Sequence, residues 1–265
     1  MITVGFAARP VPPTITVIMP ALNEAATVGD QTRAILTHEA LRALGVGRVI
    51  VVDNGSADDT ARVARAAGAQ VVVQPQRGYG AACRAGALAA QADILLLMDA
   101  DGSDDLMGAA RVLERVVRGE ADLAVGSRTR GRLEPGALTP QQRVGNLVAV
   151  ILLRLLYGAR LTDLGPTRAI RRDALLALDM QEMTYGWSTE MLVKALRAGY
   201  FVVEEPVDYH RRAGGQSKVS GTLTGTLRAG WSILSTVLRY ARWRTGAQCE
   251  TPQPPIHTTS QEQPA

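Results

Sequence analysis

The sequence predicts an α/β fold: a mostly parallel sheet flanked by helices, with a helical elaboration towards the C-terminus. Three observations lead there. Short β-branched and aliphatic runs alternate with amphipathic segments from residue 14 to residue 128. Those runs, IVV and ILLL among them, are continuously apolar rather than alternating, as in strands covered by helices on both faces. After Gly126 the rhythm changes to longer helical segments.

Taken in order, TITVIMP reads as the first strand and Glu24 to Leu44 as a helix. RVIVVD is then a strand, Ala57 to Ala67 a helix, QVVVQ a strand and Gly80 to Gln91 a helix. DILLLMD, a helix from Asp104 to Arg118 and the strand DLAVGS complete the first series. Right-handed crossovers then make these strands parallel. Helices follow at about Gln141 to Tyr157, Arg171 to Leu178 and Ser188 to Ala198, with a strand near FVVEEPV and a last helix from Gly221 to Arg242. Residues 1–13, with three prolines, and 244–265, rich in Pro, Gln and Thr, are expected to be disordered. Between them lies one expected domain, 14–243, with a front half at 14–128 and a back half at 129–243.

With 46% apolar residues the chain can fill a large core. No run of 18 uncharged residues and no leading signal segment occurs, so the expected compartment is the cytoplasm. LVAVILLRLLYG, residues 147–158, is interrupted by Arg154 and is too short to span. Two cysteines, Cys83 and Cys249, exclude a disulfide framework, and three scattered histidines argue against zinc. The net charge of +4 suits anionic partners but is too small to imply nucleic acid. Acidic clusters lie mostly before residue 106 and arginines concentrate after 127, as two sides of one site.

Ligands of open α/β sheets bind beyond the carboxyl ends of the strands. That rule selects Pro20 to Glu24, Asp53 to Ser56, Gly78 and Gly80, Asp99 and Asp101, and Gly126 to Arg128. Asp99 and Asp101, one residue apart, can both reach a hard cation such as Mg2+ or Mn2+. A calcium loop fails: the sixth and twelfth positions are Asp104 and Ala110 counted from Asp99, or Leu106 and Val112 counted from Asp101. Ser103, Asp104 and Asp105 are expected to cap the next helix. Asp53, ending a strand, is placed to bond a base or ribose. RGYGAACRAG has Cys83 where a dinucleotide fingerprint needs a third glycine, and no ATPase phosphate loop occurs.

In the order PALNE (20–24), DNGSADDT (53–60), GYGAA (78–82), DAD (99–101) and GSR (126–128), these motifs resemble the inverting family 2 glycosyltransferases with a Rossmann-like GT-A fold. TDLGPTRAIRR (162–172), YGWSTEM (185–191) and YHRRAGGQSKVSGT (209–222) resemble the branch containing dolichyl- and polyprenyl-phosphate mannosyl- and glucosyltransferases. The resemblance spans about residues 14–243.

It implies that Pro20, Asn23, Glu24, Asp53, Gly80 and Ala100 surround the nucleotide-sugar donor, while Asp99 and Asp101 hold the metal and diphosphate. Arg128 and Arg143 would meet the phosphate of a polyprenyl-phosphate acceptor, and Arg212, Ser217 and Lys218 would lie on a loop that closes over phosphates. Dolichol-phosphate mannose synthases usually read DADLQ, and Gly102 and Ser103 here favour a UDP-sugar over GDP-mannose. Asp163 is read as a catalytic residue rather than a turn cap. Glu190 reads equally as a base for a hydroxyl acceptor or as a carboxylate in the first turn of a helix, and Trp187 as a packing residue rather than a sugar platform. On the last helix, Leu223, Leu227, Leu234, Val237, Leu238 and Ala241 share a face apart from Arg228, Arg239 and Arg242. That face suits either peripheral contact with the inner face of a membrane or cover for the core; a homo-oligomer is left open.

Overall fold

A computed structural model describes residues 12–214 and 235–240. Seven strands form one sheet in the order β3-β2-β1-β4-β6-β5-β7. Strand β1 (Ile15–Ala21) lies parallel to β2 (Val46–Asp53) and β4 (Ile94–Leu97), and β2 is parallel to β3 (Gln70–Val73). Strand β5 (Leu123–Ser127) is parallel to β7 (Val202–Pro206). Between β4 and β5 runs β6 (Arg168–Arg171), antiparallel to both. The carboxyl ends of the parallel strands therefore share one edge, and Arg168 reaches it as the first residue of β6, paired with Leu97 and Val125.

Alternate residues of the apolar strands feed two cores. Ile18, Ile50, Val52, Leu95 and Leu97 pack with α4 (Tyr79–Ala89) and α8 (Trp187–Arg197) on one face. Val17, Met19, Val49, Val51 and Leu96 pack with α1 (Val28–Thr37) and α5 (Leu106–Val117) on the other. Gly86 lets α4 approach the sheet, since a Cβ there would lie 2.5 Å from Ile18 Cγ2.

Three expectations change in the body of the sheet and its helices. The helix expected over Glu24 to Leu44 is two, α1 and α2 (Glu39–Ala43), broken where His38 turns to extended backbone with ψ of 119°. The helix expected from Arg171 begins one residue later, as α7 (Arg172–Ala177), because the preceding RAIR pairs as β6. Its short length and arginine ends hide the strand period. In the segment expected to cap α5, Asp105 alone is the cap, accepting from the Met107 and Gly108 amides.

The remaining elements follow the pattern. Helix α3 (Thr60–Ala66) joins β2 to β3, and α6 (Pro140–Tyr157) starts at a capping box between Thr139 and Gln142. Residues 1–11 and 241–265, nearly all of both expected disordered ends, lie outside the described residues, as do Ser217 and Lys218. Of the last expected helix only 235–240 is described; there Val237 and Tyr240 are buried in the core while Leu238 is exposed. This splits Val237 from Leu238, which were expected on one face. No helix among the described residues is long and apolar enough to cross a membrane.

Candidate active site

At the carboxyl edge of the sheet the first two loops are bonded into one ledge. Asn23 takes left-handed backbone, φ 52°, which turns its amide to Ser56 Oγ (2.9 Å) and lets its Oδ1 accept from the Ala57 amide (2.7 Å). The Glu24 amide donates to Thr60 Oγ1 at 2.8 Å, and Asp53 Oδ1 accepts from the Ser56 amide at 3.0 Å. Pro20 sits in β1 opposite Val52. Asn54, within the Asp53 to Ser56 loop, donates to Gln74 and Gln76 carbonyls and accepts from the Gly78 amide at 2.7 Å. It thereby ties the ends of β2 and β3 together.

The DAD segment carries the acidic wall. Asp101 is buried; its Oδ1 accepts from the Ser103 amide at 3.0 Å and the Ser103 hydroxyl at 2.5 Å. Its Oδ2 accepts from Arg212 Nε at 2.7 Å, and Arg212 Nη2 also reaches Glu24 Oε1 at 3.1 Å. Arg212 belongs to a strap, residues 208–214, that crosses this edge, held by the Ala213 amide on Asp101 O and the His210 amide on Ser103 O. Ala100 is buried and its carbonyl accepts from Thr27 Oγ1 at 2.9 Å.

Ser103 and Asp104 do not cap α5. Asp104 turns inward, accepting from the Asp99 amide (2.9 Å) and from Thr167 Oγ1 (2.9 Å). Burial raises its pKa to about 6 against the two hydrogen bonds that lower it. Burial, then the charges of Asp104 and Asp101, push Asp99 well above the usual carboxylate range, with Arg212 and Arg128 pulling the other way. Mutual repulsion of these carboxyls is what a hard cation, or a partner's positive charge, would relieve. Among the described residues no group of three His, Cys, Asp or Glu side chains is arranged to ligate a metal. Asp99 and Asp101 are the oxygen donors such an ion would use, and Asp101 would have to leave Arg212 to serve it.

Opposite stands a basic wall. Arg128, just after β5, grips the fully buried Asp163 through Nε–Oδ2 and Nη2–Oδ1 bonds, both 2.8 Å, and its amide donates to Oδ2 at 2.8 Å. Burial works against its charge, but the bond and charge of Asp163 raise its pKa on balance. Tyr209 lies beneath, 5.1 Å from ring centroid to guanidinium carbon. Glu204 on β7 fixes the segment beyond, accepting from the Thr162 and Asp163 amides at 2.7 and 3.0 Å. Asn146 on α6 does the same from the other side, accepting from the Leu164 amide at 2.9 Å. Arg168, buried among the Gly165, Ser188 and Leu164 carbonyls, has its pKa lowered to about 10 by burial.

Several expected residues stand elsewhere. Gly80 is buried against Glu182 and Trp187; a Cβ would come within 2.3 Å of Glu182 O, so close packing here requires glycine. Arg143 is exposed on α6 with no side-chain partner among the described residues. Glu190 is fully buried in α8, where its carboxylate accepts from the Gln181 and Glu182 amides at 2.9 and 2.7 Å and pairs with Lys194 at 2.8 Å. An acceptor hydroxyl would reach it only by displacing these partners. Trp187 packs in the core, edge-on to Tyr79 at 6.4 Å between centroids.

The missed residues had only faint signals: Asp104 lay hidden in a capping run, and Thr167, Glu204 and Tyr209 are joined to the site only by the chain's long-range pairing.

Comparison with known proteins bears on this geometry. A family model described as Glycosyl transferase family 2 matches residues 16–178. A glycosyltransferase of Mycobacterium tuberculosis, itself uncharacterized, is 41% identical over 226 residues, covering 83% of this chain and 98% of that one. An undecaprenyl-phosphate mannosyltransferase of Micrococcus luteus is 30% identical over 253 residues, covering 89% and 96%. A crystal structure of glucosyl-3-phosphoglycerate synthase from Mycobacterium tuberculosis, with Mn2+, UDP-glucose and phosphoglyceric acid, superposes with a TM-score of 0.67 at 26% identity, covering 86% of this chain and 80% of that one.

Proposed function

This chain belongs to glycosyl transferase family 2, with the GT-A fold, and on that premise we propose that it moves one sugar, with inversion, from a UDP-sugar to a polyprenyl phosphate. The observation that carries the acceptor is the commitment of the two candidate bases. Glu190 is sealed by two amides and Lys194, and Asp163 is held by Arg128. An acceptor hydroxyl using either as its base would first have to break those bonds. A phosphate monoester, with its second pKa of about 6, is already largely dianionic at neutral pH and needs no base. The undecaprenyl-phosphate mannosyltransferase supports the same class of acceptor.

In this reading the ledge of Asn23, Glu24 and Asp53 receives the nucleoside, and Asp99 and Asp101 face the diphosphate. A bound Mg2+ or Mn2+ would neutralise charge on the leaving diphosphate, as a Lewis acid does. The UDP-glucose and Mn2+ of the mycobacterial synthase support both choices. Arg128 has one terminal nitrogen, Nη1, without a hydrogen-bond partner among the described residues. It presents that nitrogen to the acceptor phosphate while Asp163 fixes its plane. Arg212 opens from Glu24 and Asp101 to admit donor, then closes on its phosphates. Holding two anions together against their repulsion is the work of these arginines.

The test is to incubate purified protein and Mn2+ or Mg2+ with a panel of nucleotide sugars, with and without polyprenyl phosphate, and to identify products by mass. Transfer to the lipid phosphate, abolished in Asp101→Asn, is expected. Transfer to a soluble alcohol with every lipid phosphate inert would overturn it.

A further inference from the structure

The most unusual surface lies on α6. Val144, Leu147, Val148, Ile151 and Leu155 are exposed, Leu155 by 74% and Val144 by 62%. At 3.6 residues per turn these five fall within an arc of about 100°. The opposite face, Ala149 and Leu153, is buried in the core. An apolar stripe three turns long facing away from the core is not what a solvated helix presents.

The surrounding charge is one-sided. From Pro135 to Thr162 the chain has no acidic residue, and its charged groups are Arg143, Arg154 and Arg160, all exposed. Arg143 and Arg154 fall beside the apolar arc on the same helix. Pairing with a second copy about a two-fold axis would set this arginine-bearing face against itself with no acid to offset it. An anionic bilayer offers apolar depth for the stripe and phosphates for its flanking guanidiniums.

We propose that α6 is a membrane-docking helix, lying in the interface of an anionic lipid bilayer with Leu147, Ile151 and Leu155 in the acyl boundary. This extends the lipid-phosphate reading above and rests on it for its purpose. Asn146, on the same helix, holds the 162–164 segment, and that segment's Asp163 holds Arg128. A bilayer under α6 therefore fixes the height of Arg128 above the lipid headgroups. The sequence analysis offered such contact as one of two readings for the last helix, of which only residues 235–240 are described; there the Tyr157 hydroxyl of α6 donates to the Val237 carbonyl at 2.5 Å.

The test uses the full chain without substrates, sedimented with vesicles of phosphatidylcholine alone or mixed with phosphatidylglycerol. Wild type is expected to partition onto the anionic vesicles at least about tenfold better than onto the neutral ones. Leu147→Gln with Ile151→Gln, and separately Arg154→Gln with Arg160→Gln, should each lower anionic binding about tenfold while leaving the melting temperature unchanged, since all four side chains are exposed. Binding by the apolar double variant equal to wild type would overturn the proposal. So would a lipid-free wild-type dimer that the same variant converts to monomer by light scattering, which would give the stripe to a second copy. A water-soluble short-chain polyprenyl phosphate, assayed without vesicles, separates the two readings: docking through α6 without transfer to it leaves this proposal standing and removes the proposed acceptor.

Discussion

Arg128 and Asp163 form a closed two-point clasp, with the Arg128 amide as a third bond to the same carboxylate. Neither side chain is independent of the other. Asp163→Ala leaves a buried guanidinium unpaired and is expected to cost about 3–5 kcal/mol of stability, read by denaturant unfolding. Arg128→Lys keeps the charge and loses the fork, so kcat/KM for the phosphate acceptor should fall between about tenfold and a hundredfold with donor KM little changed. A rise confined to donor KM would move Arg128 to the other substrate.

Glu190 and Lys194 make the second buried pair, and Lys194 also donates to the Asp179 carbonyl at 2.6 Å. Glu190→Gln should destabilise the protein by about 3–5 kcal/mol because the ammonium stays buried, and adding Lys194→Met should restore much of that. Activity measured below the melting point of the double variant should recover with stability. A stable double variant that is catalytically dead would make Glu190 part of the chemistry.

Gly78 opens α4 at φ 143°, and a Cβ there would sit 2.1 Å from the Met183 carbonyl oxygen. Both the dihedral and the contact require glycine. Gly78→Ala should lower stability by about 1–3 kcal/mol, seen as a fall of several degrees in Tm.

Cys83 is buried in α4, and burial pushes its thiol well above the ordinary range, so it stays protonated at neutral and mildly alkaline pH. In a Cys249→Ser background, a thiol-reactive dye at pH 8 should label the native protein negligibly and the guanidinium-unfolded protein once per chain. Rapid native labelling would show that α4 opens.

What the sequence carried plainly were the features set by local pattern. The apolar runs located β1 to β5, and the motif at each carboxyl end located the ledge and the acidic wall. The features it concealed depend on where distant residues land. Four residues with arginine at both ends gave no strand period, yet β6 forms because β4 and β5 each pair with one of its edges. Ser103 and Asp104 look like caps, yet they turn inward because Asp101, Asp99 and Thr167 meet them there. Gly102, used to argue for a UDP-sugar, has φ 76° and lies against Ala213 of the strap, so the backbone alone accounts for glycine. Gly80 followed the motif, but its reason is the chain at 182–187.

The placement of β6 also governs how the molecule can be made. A nascent chain that has left the ribosome only as far as residue 128 holds β5 with neither neighbour, since β6 and β7 are still unsynthesised. Its first four strands can assemble, but Leu123, Ala124 and Val125 remain an open edge until residues 168–171 arrive and slot between β4 and β5. Fragments cut between the two halves should therefore aggregate, and chaperone dependence should concentrate in that window of synthesis.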